Sequence, residues 1–446
     1  MNKKIIGISI AMLFAANGAY AQSMSGASVE LYGILDAAIG NVEYSLAADP
    51  NFPATVNPLT ATSVKVNQST TGMFTGGIQP SRWGIRGTED LGGGLKAIFN
   101  LDSYFNLNSG DLSNAAASLA NNRNGTSGTV SAASSVNGQL FNDQAWVGLS
   151  DDSFGTLTFG RQWSAMGDIL RSYDAVQDAQ LFSPLGFSGA YAGGGLTELK
   201  RQDSSIKYTN KFGDFNIIGM VKLGGVAGSS SAGSAYGVGA GYEANGFGIQ
   251  AAYQSSTDTL HGANCASTTV APIITCVNGD VKVINYDTTS FMVAAKYVFG
   301  DAKITGGYES YVLKAPSDPF ANLGATSYYG YTIQENENFG GANQTTDIAW
   351  IGGDYNFTPA FNLAIGFYDI APKQSSDYTA NANGTVKTGQ ADGNIYEYSL
   401  LADYHFSKRT DAYFGLMYSQ YKGDQYPSIA YNTSNYIYAV GMRTKF

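Results

Sequence analysis

Read at every second position, the last eleven residues separate into two sets. Phe446, Thr444, Met442, Val440, Tyr438 and Tyr436 are mostly apolar or aromatic, whereas Lys445, Arg443, Gly441, Ala439 and Ile437 mix charge with small groups. A period of two places successive side chains on opposite faces of a strand, so one face calls for hydrocarbon and the other for water. Chain ends usually fray. An aromatic final residue on the apolar face therefore predicts a terminus paired on both sides, as in a barrel whose last strand meets its first. Lys445 and Arg443 would then face the mouth.

The same alternation recurs along the chain. Strand one, Ser28 to Ala38, sets Val29, Leu31 and Leu35 against Glu30, Tyr32 and Asp36. Strand two, Arg82 to Thr88, sets Trp83 and Ile85 against Arg82 and Arg86, turns at Glu89 to Gly94, and continues into strand three with Ala97, Phe99 and Leu101. Strands four (Leu140 to Ser150) and five (Gly155 to Trp163) follow a polar loop from Leu107 to Gln139. Strand six covers Arg201 to Tyr208. Further pairs are carried by Tyr236 to Tyr242, Phe247 to Tyr253, Phe291 to Tyr297, Phe361 to Phe367, Tyr396 to Tyr404 and Ala412 to Tyr418. Tyr436 to Phe446 ends the series.

The rhythm of long loop, strand, short turn and strand predicts sixteen strands, with seven short turns and eight long loops. This is the asymmetry of an antiparallel transmembrane β-barrel with short periplasmic turns and long extracellular loops. A soluble sandwich would need its apolar faces to meet in a core, but here the polar faces are as regular as the apolar ones. With so many strands, side chains do not fill the interior, which leaves an aqueous channel.

Composition supports a single barrel. Only 13% of residues are charged, about half the ~25% usual in soluble proteins, while glycine reaches 55 and tyrosine 30. Lys3 and Lys4 precede an apolar run from Ile5 to Ala16, and Ala19 and Ala21 flank Tyr20. These features predict a secretory signal peptide over residues 1–21 and a barrel over 22–446. The run is shorter than the ~20 residues of a spanning helix. From Gln22 onward, 23 basic residues stand against 35 acidic ones, a formal charge of −12. No basic patch supports a nucleic-acid partner. Cys265 and Cys276 are expected to form a loop disulfide in the oxidising periplasm, in preference to a metal pair with His261. With only two histidines and no phosphate loop or zinc spacing, neither catalysis nor a cofactor is expected.

The expected constriction lies in loop three, Ser164 to Lys200. Its acids Asp168, Asp174 and Asp178, folded inward, would face Arg82, Arg86, Arg201 and Lys207 across water and set up a transverse field. Arg161 shares parity with Leu157 and Phe159, so it points outward. A lipid-facing charge costs about 2 to 4 kcal/mol near the midplane, which favours a subunit interface over snorkelling at the rim.

Five stretches closely resemble the general diffusion porins of Gram-negative bacteria, in particular the trimeric sixteen-stranded β-proteobacterial type. They are Val29-Glu-Leu-Tyr-Gly-Ile-Leu-Asp36, Ser81 to Ala97, Gln144-Ala-Trp-Val-Gly-Leu149, Gly155-Thr-Leu-Thr-Phe-Gly-Arg-Gln162 and the terminal Phe446. The resemblance implies a homotrimer in outer-membrane lipid and lipopolysaccharide that passes small hydrophilic solutes and ions. It also implies that loop three is the eyelet, that an arginine ladder begins at Arg82 and includes Arg201, and that Phe446 is an assembly signal. Where that family usually has a further arginine, before the Gln-Ala-aromatic motif, this chain has Asp143. The substitution should weaken anion preference.

Overall fold

The computed structural model describes residues 27–46, 66–110, 130–131, 140–185, 200–224, 229–263, 281–315, 317, 327–328, 331–335, 343–373, 378–379, 386–387, 393–422 and 432–446. The expected signal peptide, Cys265 and Cys276 lie outside these residues.

Among the described residues sixteen strands form a closed antiparallel wall, with one extra long strand beside it and several short ones of two to five residues in the loops. The wall strands are β1 (Ser28–Leu46), β2 (Arg82–Gly92), β3 (Leu95–Tyr104), β4 (Gln144–Asp151), β5 (Gly155–Trp163), β6 (Arg201–Phe212), β7 (Phe215–Lys222) and β8 (Ala235–Ala244). They continue as β9 (Phe247–Ala263), β10 (Val281–Phe299), β11 (Ala302–Lys314), β12 (Gln344–Thr358), β13 (Phe361–Lys373), β14 (Ile395–His405), β15 (Thr410–Tyr421) and β16 (Asn432–Lys445).

Alternation decides which side chains meet lipid. Val29, Leu31, Val147, Ile351, Ile365, Val440 and Met442 are exposed on the outer face, and their neighbours in sequence turn inward. Aromatic pairs gather at both ends of this apolar band. Phe215–Tyr242, Tyr355–Phe357 and Tyr404–Phe406 lie by the short turns, and Tyr236–Tyr253, Tyr398–Tyr418 and Tyr418–Tyr436 lie toward the long loops. Two such girdles are what an amphipathic ring prefers at a membrane–water boundary.

Closure differs in register from a simple end-to-end match of strand one with Tyr436 to Phe446. Lys445 pairs with Ile34 and Tyr436 with Glu43, while Ser28 to Ile34 pair on the other side with β2. Closing a tilted sheet requires a stagger between first and last strands. Arg443 turns into the lumen and is buried against Asp411. Strand four begins at Gln144 rather than Leu140, because the Asn142 side chain caps the end of β3. Its amide donates to the Tyr104 carbonyl, and its oxygen accepts from the Tyr104 N–H.

The extra strand, Val66–Thr75, pairs with the upper half of β1, above the point where β2 takes the lower half. Residues 76–81 form an inward corner between them. The Asp36 carboxylate holds that corner by accepting the backbone N–H groups of Gly77, Ile78 and Gln79 and the Tyr413 hydroxyl.

Candidate functional site

Loop three leaves the wall after Trp163 and enters the lumen as a helix, α1 (Ala165–Tyr173). Ser164 caps it by accepting from the Gly167 N–H at 3.2 Å, and Asp168 lies in the first turn, where the helix dipole favours an acid. Met166, Ile169, Leu170 and Tyr173 recur at helical spacing and are almost fully buried against Met292, Ile348 and Trp350 on the inner wall. The helix was not among the expected elements, although the i, i+3, i+4 and i+7 spacing of these four residues is its signal.

Space for the loop comes from inward-facing glycines. A Cβ on Gly415 would meet the Phe182 ring at 2.3 Å, and one on Gly352 would meet the Ala175 Cβ at 2.7 Å. Hydrogen bonds fix the track. The Tyr173 carbonyl accepts from Trp350 Nε1 at 2.9 Å and Thr305 Oγ1 at 2.6 Å, and the Tyr173 hydroxyl donates to Glu243 at 2.7 Å. Farther on, the Gln180 and Leu181 N–H groups donate to the Ile78 and Gly77 carbonyls of the inward corner, both at 2.9 Å.

Asp174 organises the turn that follows α1. Its carboxylate accepts from the N–H groups of Val176 and Asp178, from Ser183 Oγ, and from the Tyr368 hydroxyl on β13 at 2.7 Å. Gln177 and Asp178 adopt left-handed backbone angles there, with φ of 65° and 58°. Non-glycine residues seldom sit in that region unless their surroundings hold them.

The charged groups are paired in direct contact instead of facing each other across water. Lys207 Nζ contacts Asp168 at 2.5 Å, and Lys200 Nζ contacts Asp178 at 2.7 Å. Asp174 is buried among its four donors. Arg86 meets Glu30 at 2.7 Å, on the short-turn side, and stacks on Tyr32.

Asp143 is the hub on the opposite wall. Fully buried, it takes Arg201 Nε at 2.5 Å and Trp163 Nε1 at 2.8 Å, with Arg82 Nη1 at 3.8 Å. Burial pushes its carboxyl up, but the Arg201 and Arg82 guanidiniums beside it outweigh that, and the carboxyl sits below the ordinary aspartate range. Asp102, Tyr104 and Trp163 complete this network, although the sequence did not single them out. Arg171, on the last turn of α1, stacks on Trp163 at 4.9 Å and makes no ion pair among the described residues. Beside the network lies a recess of about 520 Å³ lined by Glu30, Tyr32, Arg82, Arg86, Trp146 and Arg171, among others.

Arg161 opposes Ala145 in the ladder, on the outer row that also holds the exposed Val147. Its guanidinium is nonetheless only 7% exposed, because Nε donates to the Asn142 carbonyl and Nη1 contacts Asp203 at 2.5 Å. A register shift between Gly160 and Gln162 places the two residues Asp203 and Ser204 opposite Arg161, which brings the acid within reach.

A profile of the Gram-negative porin family matches residues 9–424. An outer membrane porin protein of Bordetella pertussis is 34% identical over 183 residues, which cover 41% of this chain and 38% of that one. Outer membrane porin protein 32 of Delftia acidovorans is 31% identical over 211 residues, covering 47% of this chain and 46% of its own. The matched stretches thus span less than half the length of these two relatives. Among solved structures, the anion-selective porin from Comamonas acidovorans superposes with a TM-score of 0.60 at 20% identity, over 94% of this chain and all of that one, and so shares the fold. With the family profile covering nearly the whole chain and a closed wall girdled by aromatics, the protein belongs to the Gram-negative porin family and resides in the outer membrane.

Proposed function

We propose that the protein is a passive, water-filled channel for small hydrophilic solutes and ions, with loop three as its constriction. The observation that carries this is the lumenal recess beside the Asp143 network, bounded on one side by Arg171 of α1. Water-accessible volume and fixed charge meet there. Asp168 and Asp178 each have a cation in contact and Asp143 occupies the two nearest arginines, so the transverse field is weaker than one made by bare charges facing each other across water. Solutes would then be sorted mainly by size. The anion selectivity named for the Comamonas porin does not carry over to a site whose arginines are answered by Asp143. Planar-bilayer recording tests the proposal. Stepwise conductance is expected in groups of three, and its absence in a folded preparation would overturn it.

The working unit is proposed to be a homotrimer in lipid and lipopolysaccharide, with Arg161 at the subunit contact. The Arg161–Asp203 pair on the outer row would present a polar patch that lipid would not favour and a neighbouring subunit could cover. Phe446 is proposed as the assembly signal. Its N–H and carbonyl each bond Gly33 at 3.1 Å, and its ring is half exposed at the seam. Deleting Phe446 should cut the yield of inserted, heat-modifiable protein several-fold. Unchanged insertion would reduce the residue to a packing role.

A further inference from the structure

Near the short-turn mouth, three side chains converge that the channel reading does not use. Asp403 and His405 lie two apart on β14, on the inward face opposite the exposed Tyr404. Asp411 on β15 is the ladder partner of His405. His405 Nδ1 is 3.8 Å from Asp403 Oδ1 and 3.8 Å from Asp411 Oδ2, and the three ligand atoms all lie within 4.8 Å of one another.

Asp403 points to a ligand independently of this clustering. It is 8% exposed, and its Oδ1 accepts no hydrogen bond, although the atom is buried and aimed at the imidazole. A buried oxygen left without a donor is unfavourable unless something else completes it. Arg443 holds both carboxylates: its Nη2 lies 3.4 Å from Asp403 Oδ2, the oxygen turned away from the imidazole, and 2.8 Å from Asp411 Oδ2, the same oxygen that faces the imidazole. That contact fixes the carboxylates as an outer layer of hydrogen bonds fixes metal ligands. The imidazole is more than a third exposed, which leaves an approach from the lumen.

We infer that Asp403, His405 and Asp411 form a site for a divalent transition-metal ion of the zinc class. One imidazole nitrogen with two carboxylate oxygens suits zinc and its neighbours, whereas magnesium and calcium are usually held by oxygen donors alone. Around a tetrahedral zinc ion, ligand atoms are roughly 3.4 Å apart. The two 3.8 Å separations must therefore close by a few tenths of an ångström, and the separation between the two carboxylate oxygens, at most 4.8 Å, by no more than about 1.4 Å, which side-chain rotation supplies. Three protein ligands leave at least one position for water or for a group on a passing solute. Arg443 and Lys445 are the cations around the site, so binding should be modest and reversible.

Calorimetric titration of the folded full-length protein with zinc chloride tests this. The expected result is saturable binding of one ion per chain, with no comparable heat from magnesium chloride. His405→Gln should weaken zinc binding at least ~10-fold, as should Asp403→Asn, with heat-modifiable mobility confirming that each variant is folded. If Asp403→Asn does not fold, His405→Gln, at a partly exposed side chain, still decides. Absence of saturable binding by the native protein, or a folded His405→Gln that binds zinc as tightly as the native protein, would overturn the assignment.

Discussion

Asp143→Asn moves the reversal potential in a salt gradient toward anions and lowers the temperature of heat modification. The amide keeps the size of the carboxylate and still accepts from Trp163, but it removes the charge that Arg201 and Arg82 share. A unit charge about 6 Å from a passing ion is worth ~0.7 kcal/mol in bulk water and ~3 kcal/mol at an effective dielectric of 20. The permeability ratio should therefore change at least about three-fold. Loss of one partner from a buried ion pair also destabilises by ~3 to 5 kcal/mol, because the other charge stays buried without an answer. Asp143→Arg adds a third guanidinium and should shift selectivity further in the same direction. An unchanged reversal potential in both variants would show that Asp143 lies outside the conduction path. The pH dependence has a definite sign. The folded carboxyl lies below its ordinary value of 3.8, so the stability it contributes is fully present above that value and is lost only as pH falls through the lowered one.

A second large effect is expected at Asp174. Asp174→Ala removes the acceptor for two backbone N–H groups, for Ser183 and for Tyr368 in one step. Each buried donor left unpaired is unfavourable by ~1 to 3 kcal/mol. The left-handed pair Gln177 and Asp178 then loses what holds it. Helix α1 stays docked through Met166, Ile169 and Leu170, so the loop should remain in the lumen while its tip moves. Open-channel noise should increase and unitary conductance change. Tyr368→Phe, which removes one of the four donors, should give a smaller effect of the same kind. Current traces for Asp174→Ala identical to the native ones would show that the turn is held by packing alone.

The wall was legible because lipid outside and water inside impose a two-residue period that sequence displays directly. Tyr436 to Phe446 showed it most clearly, and Tyr396 to Tyr404 nearly as well. Register was not legible. The offset that joins Lys445 to Ile34 depends on tilt and stagger around the whole circumference, which no single strand encodes. The pairing of the expected site residues was not legible. Arg82, Arg201 and Asp143 do meet. Of the loop-three acids, Asp168 meets Lys207, one of the cations expected opposite it, in direct contact and not across water, while Asp178 meets Lys200 and Asp174 a ring of donors. Those contacts depend on the docking of helix α1 and on inward-facing glycines, Gly352 and Gly415, whose missing side chains leave room for the loop. Arg161 shows the same limit, because its partner Asp203 comes into reach only through a register shift.

The corner at residues 76–81 also bears on the order of assembly. Asp36 holds it with help from Tyr413, a residue 377 positions later in the chain, and the tip of loop three fastens to that corner. The tip therefore has no complete docking partner until β15 has arrived beside β16 and the seam with β1 has formed. Contacts this distant in sequence form late, because loop closure must precede them. Protection of the Gln180 and Leu181 amides from hydrogen exchange would thus mark the end of assembly: a clock built into the lumen that starts only when the ring is complete.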